Sequence, residues 1–174
     1  MMPNENRVTT SGDDSPVEAL LRALLAACQQ FYAARLVSVV IFGSVGRGTP
    51  RPDSDVDVLI VADGLPDGRL KRADEFRAIE DALSLHLAEL WEAGWQMALS
   101  PVFKTPAEIL RGSPLLLDMI QDARFLYDHA DFFHTALAQF QSRLEKLHSR
   151  RIWRGNAWIW DLKPDYRVGE VFEL

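Results

Sequence analysis

Asp55 and Asp57 stand two residues apart at the head of a β-branched run, Val56, Val58, Leu59, Ile60, Val61. Residues two apart on a strand point to the same face, so both carboxylates project together while Val56 and Val58 face the other way. Side by side, two carboxylates repel unless a cation sits between them. Hard oxygen ligands of this kind suit Mg2+. Upstream, Gly43, Gly46 and Gly48 let backbone N–H groups approach a phosphate closely, and Ser44 adds a hydroxyl. These types at this spacing describe a site for a metal-bound nucleoside triphosphate.

Such a site needs two strands and a turn to hold it. One apolar run, Val39 to Phe42, ends at Gly43, and the second begins at Asp55. With that frame in place, Gly43-Ser44, ten intervening residues, then Asp55-Val56-Asp57 resembles the signature of the polymerase-β-type nucleotidyltransferase superfamily. Arg47-Gly48 after the turn and Ser54-Asp55 before the second strand are similar to the compact form found in minimal nucleotidyltransferases of bacteria and archaea.

The resemblance implies a small mixed β-sheet flanked by helices, the nucleotidyltransferase fold of the α/β class. It implies Asp55 and Asp57 as catalytic ligands of Mg2+. Gly43 and Ser44, with Gly48 completing the turn, would hold the β- and γ-phosphates, and Arg47 would offset their charge. The reaction implied is transfer of a nucleoside monophosphate, AMP from ATP foremost, to an acceptor hydroxyl with loss of pyrophosphate. The Gly-Ser-x10-Asp-x-Asp spacing resembles that of antitoxins that adenylylate HEPN-type toxins, which makes a partner protein one acceptor. An RNA end and a small molecule such as an aminoglycoside are others, and a non-catalytic nucleotide- or partner-binding module is the reading of a different class. Asp53 shares the parity of the aspartate pair but falls in the loop, as a turn residue. One departure stands out: active members usually carry a third carboxylate on a neighbouring strand, and Trp95 to Ser100 contains neither Asp nor Glu. Glu92 precedes that segment and Glu108 follows it.

The chain has 174 residues with a net charge of −6, enough length for one domain with a core and no broadly basic surface for nucleic acid. No apolar run approaches the roughly 18 residues of a membrane span. Residues 1–14 read as a disordered leader, 15–149 as the nucleotidyltransferase domain, and 150–174 as an aromatic and basic tail packing on it. Cys28 is the lone cysteine, which excludes an internal disulfide, reads as a small buried apolar residue, and fits a cytoplasmic protein.

Ser15, Pro16 and Glu18 predict a capped helix that runs to about Ala34. Leu36 to Phe42 predicts a central strand covered on both faces. Phe76, Ile79, Leu83, Leu87 and Leu90 predict a helix from about Leu70 to Ala93, ended by Gly94, with His86 packed near its apolar stripe. Trp95 to Phe103 predicts a third strand, with Pro101 marking an edge or a bulge. Thr105-Pro106-Ala107-Glu108 opens a short helix, Leu115 to Ile120 a further helical turn, and Arg124 to Asp128 a short strand. A last helix starts at about Ala130 with Phe133, Leu137, Phe140 and Leu144 on one face. Beyond it, Trp153, Trp158, Trp160, Tyr166 and Phe172 lack any helical period. They predict a strap whose rings pack on the domain, with a basic, aromatic surface for RNA or protein as the alternative.

Overall fold

Strand β1 (Leu36–Phe42) is apolar on both faces apart from Ser38, and every one of its residues is buried. It therefore lies inside the sheet and needs neighbours on both sides and cover on both faces. The computed structural model, which describes residues 15–155 and 157–172, supplies both. β2 (Val56–Ala62) and β4 (Arg124–Asp128) flank β1, each antiparallel to it, and β3 (Leu99–Lys104) runs parallel to β2. The strand order is β3-β2-β1-β4, a small mixed sheet.

Helices α1 (Pro16–Tyr32) and α3 (Arg69–Glu92) close one face, where Leu20, Leu24, Cys28, Phe76 and Ile79 pack with Val39, Ile41, Val58 and Ile60. On the opposite face are α4 (Pro106–Leu110), α5 (Leu116–Asp122) and α6 (Phe132–Lys146). Their Ile109, Met119, Phe133 and Phe140 pack with Val40, Phe42, Leu59 and Val61. The alternation of β1 and β2 side chains thus feeds two cores from one pair of strands.

The local signals explain most of the boundaries. Ser15 caps α1, its hydroxyl accepting the Glu18 N–H at 3.2 Å with Pro16 in the first turn. Thr105 and Glu108 form a reciprocal capping box on α4. Gly94, at φ +86, follows the end of α3. Cys28 is fully buried, and burial pushes its thiol up to about 12. No described helix is long and apolar enough to cross a membrane.

Three expectations are corrected. α1 stops at Tyr32, and Ala33–Arg35 form a 3-10 turn. β3 begins at Leu99 rather than Trp95, because the preceding residues brace the loop ahead of β2: Gln96 N–H donates to Pro52 O at 2.6 Å and Val56 N–H to Ala98 O at 2.8 Å. α6 begins at Phe132, after Ala130 and Asp131 take left-handed φ of 51° and 53°. Within the tail expected as a strap without helical period there is a β-hairpin, β5 (Arg150–Arg154) with β6 (Ala157–Asp161). Trp160 and Leu162 sit against the second core, whereas Trp153 is 62% exposed. The expected leader, residues 1–14, lies outside the described residues.

Candidate active site

The row of β2 side chains that buries Val61 and Leu59 in the second core ends in Asp57. Its register partners are Phe42 on β1 and Ser100 on β3, so one carboxylate is flanked by a strand on each side. Asp55 is exposed just before β2, in the segment that Gln96 and Ala98 brace, and its charge reaches Asp57. Asp53 is exposed in the turn, as its composition predicts.

Beyond Phe42 the chain turns at once into α2 (Gly43–Gly46), a single helical turn. Gly43 has φ +67, and a Cβ there would lie 2.2 Å from Asp57 Oδ2. The missing side chain is therefore the space in which the carboxylate sits, and only glycine satisfies both the backbone angle and the contact. Gly46 is equally tight: a Cβ would meet Asp122 O at 2.5 Å and Ile41 O at 2.9 Å, so the turn is clamped between β1 and α5. Ser44 is half-buried, and its carbonyl accepts the Thr49 N–H at 2.9 Å. Gly48, at φ +71, has nothing within reach of a Cβ, so its glycine serves backbone shape alone. Arg47 is exposed and pairs with Asp122 on α5 at 3.1 Å.

Burial is the main reason the Asp57 carboxyl is held above the usual carboxylate range, and the Asp55 charge adds to it. The Ser100 hydroxyl on the adjoining strand and Arg47 pull it back, while Asp118 on α5 pushes it up again. A half-buried carboxylate crowded by another is one that a cation would relieve. The donors are all hard oxygens, and Asp57 Oδ2 lies against the glycine turn. These residues fit a divalent ion bound with a triphosphate.

The carboxylates flanking β3 serve other ends. Glu108 takes Arg72 in a two-pronged pair at 2.8 and 3.1 Å and accepts the Thr105 N–H at 2.8 Å. Arg72 is the main cause that holds its carboxyl down at about 2. Glu92 is exposed at the end of α3. Among the described residues, no group of three Asp, Glu, His or Cys is close enough to share a metal ion. Sequence reasoning missed Ser100 and Asp118. Nothing local distinguishes either, since strand register brings the first to Asp57 and helix packing the second.

Comparison with known proteins settles the family. The nucleotidyltransferase domain profile matches residues 21–123, from α1 to the residue before β4. The chain belongs to the nucleotidyltransferase domain family. A Methanocaldococcus jannaschii protein named for protein adenylyltransferase activity is 26% identical over 137 residues, covering 78% of this chain and 88% of its own. One similar structure is a toxin–antitoxin crystallised with AMP-PNP, with 16% identity and a TM-score of 0.44 over 72% of this chain and 90% of that one. Another holds tri-AMPylated Shewanella oneidensis HEPN toxin with MNT antitoxin, with 12% identity and a TM-score of 0.43 over 75% and 92%. Both superpositions are too loose to bear on chemistry. The family membership makes this nucleotidyltransferase an enzyme acting on nucleoside triphosphates.

Proposed function

We propose that this nucleotidyltransferase moves AMP from ATP to a hydroxyl of a partner protein, in a Mg2+-dependent reaction. The observation that carries the reading is the Asp57 carboxylate seated in the space that Gly43 leaves, with Asp55 beside it. That seat couples the phosphate-binding turn to the metal-binding strand through a contact no other residue would allow. The relative named for protein adenylyltransferase activity supports AMP and a protein acceptor. A HEPN-type toxin is the partner we put first, on the spacing of the motif; an RNA end is the rival acceptor. Residues 15–149 form the transferase domain in this reading, and 150–174 a tail packed on it.

Asp55 and Asp57 would hold Mg2+, which when bound neutralises and orients the triphosphate. Gly43 and Ser44 would present backbone N–H groups and a hydroxyl to the β- and γ-phosphates. Arg47 already lends its charge to this corner, and exchanging Asp122 for a phosphate oxygen would keep it paired. The acceptor hydroxyl then meets the α-phosphate with pyrophosphate leaving on the far side.

Thermal melting with Mg2+ and each nucleoside triphosphate tests the site without any acceptor. Wild type melts higher with Mg2+ and ATP, by mass action on the native state. The Asp55→Asn/Asp57→Asn double variant shows no such rise. No rise in wild type at saturating nucleotide would sink the reading. Given a rise, α-labelled ATP then marks the acceptor.

A further inference from the structure

Two divalent cations about 3.5–4 Å apart, the arrangement used by many enzymes of phosphoryl chemistry, require ligands on the outer side of each as well as a carboxylate between. Asp57 lies between β1 and β3, and its register partner on β1 is the apolar, buried Phe42, so a polar group beside it on the sheet comes from β3. The residue in register with Asp57 there is Ser100. Val102, two residues on, packs toward the second core, so Ser100 shares the face of Asp57. Its hydroxyl is neutral and acts on the Asp57 carboxylate from the adjoining strand, favouring the charged form.

Among the described residues, the other carboxylates do not make up the deficit. Asp122 is engaged with Arg47 and Glu108 with Arg72. The charge of Asp118 on α5 reaches Asp57, but it closes no three-ligand group with the pair. The charge on offer therefore matches one cation shared with a triphosphate.

Resting on the reading above, we infer that this site takes a single divalent cation, and that Ser100 is a positioning residue whose hydroxyl steadies Asp57 where a second-cation ligand would otherwise stand. The acceptor hydroxyl is then brought to the α-phosphate without a metal ion of its own.

Electron paramagnetic resonance of Mn2+ tests this on the full chain with an ATP analogue carrying a methylene between its α- and β-phosphates. Wild type gives one bound Mn2+ per bound nucleotide, with the spectrum of an isolated ion. Ser100→Asp supplies the missing carboxylate and gives a second Mn2+, with the spin-coupled spectrum of a close pair. Ser100→Ala keeps one ion but holds it at least about 10-fold more weakly, as losing an outer partner of a ligand does. A spin-coupled pair in wild type overturns the inference and leaves the proposed function standing. A Ser100→Asp protein that still takes one ion also overturns it, as does a Ser100→Ala protein with undiminished affinity. No protein-bound Mn2+ in wild type removes inference and function together.

Discussion

At the scale of the residue, Gly43 decides more than either aspartate alone. A methyl group there would have to turn the Asp57 carboxylate aside, its Oδ2 being 2.2 Å away, and would itself sit at φ +67. The positive φ costs on the order of 1–2 kcal/mol of stability for any residue with a Cβ. The larger effect is on chemistry, where about 1 Å of misplacement can cost about 100-fold. Gly43→Ala should therefore fold, melt a few degrees lower, and lose nearly all transfer and the nucleotide-dependent rise in melting temperature. Retention of that rise would show that Asp57 does not need its seat. The aspartate pair and glycine turn were legible in sequence because each is a local pattern. The seat was not, since it depends on how two strands sit across from one another.

Among the elements, β3 is one edge of the four-stranded sheet, and its far end is fastened by Arg72 and Glu108. Arg72 reaches Pro66 O at 2.8 Å and Phe103 O at 3.2 Å while gripping Glu108, so one guanidinium ties α3, β3 and α4 together. The Glu108 carboxyl is drawn from near 4.5 down to about 2, so the native state binds fewer protons than the unfolded chain between those values. Its stabilisation is complete above about 4.5 and drains away as pH falls toward 2. Glu108→Gln should cost about 2 kcal/mol at neutral pH, or about 4–8 °C in melting temperature. The gap from wild type should close as pH is lowered toward 2, as urea unfolding at several pH values would reveal. A gap independent of pH would assign the loss to packing. The cap on α4 was readable because Thr105, Pro106 and Glu108 adjoin in sequence. That the same Glu108 would serve Arg72 was not, with most of α3 and all of β3 between them. The hairpin β5–β6 had a local signal too, Gly155-Asn156 between two aromatic and β-branched runs. That signal is masked by Trp153, Trp158 and Trp160, whose close spacing suits stacking as well as a period of two.

Over the whole molecule, one sheet separates two cores, and β1 and β2 contribute to both. Phe76 and Phe140 are almost wholly buried on opposite sides. Phe76→Ala and Phe140→Ala should each cost about 3–5 kcal/mol. Each should lower a single transition rather than split it, seen as coincident midpoints in far-ultraviolet dichroism and tryptophan fluorescence. Separate midpoints would mean that the faces melt independently. The same connectivity bears on how the protein comes into being during synthesis. Asp57 leaves the ribosome soon after Gly43, and their strands can pair at once as neighbours in sequence. Ser100 arrives only after α3, across a parallel crossover that forms slowly because a long loop must close first. β1 waits longer still for β4, its other partner. A nascent chain thus holds the glycine turn and the aspartate pair well before the strand that completes their surroundings. Until then, the open sides of β1 and β2 are where a chaperone, or a second unfinished chain, would find an edge to bind.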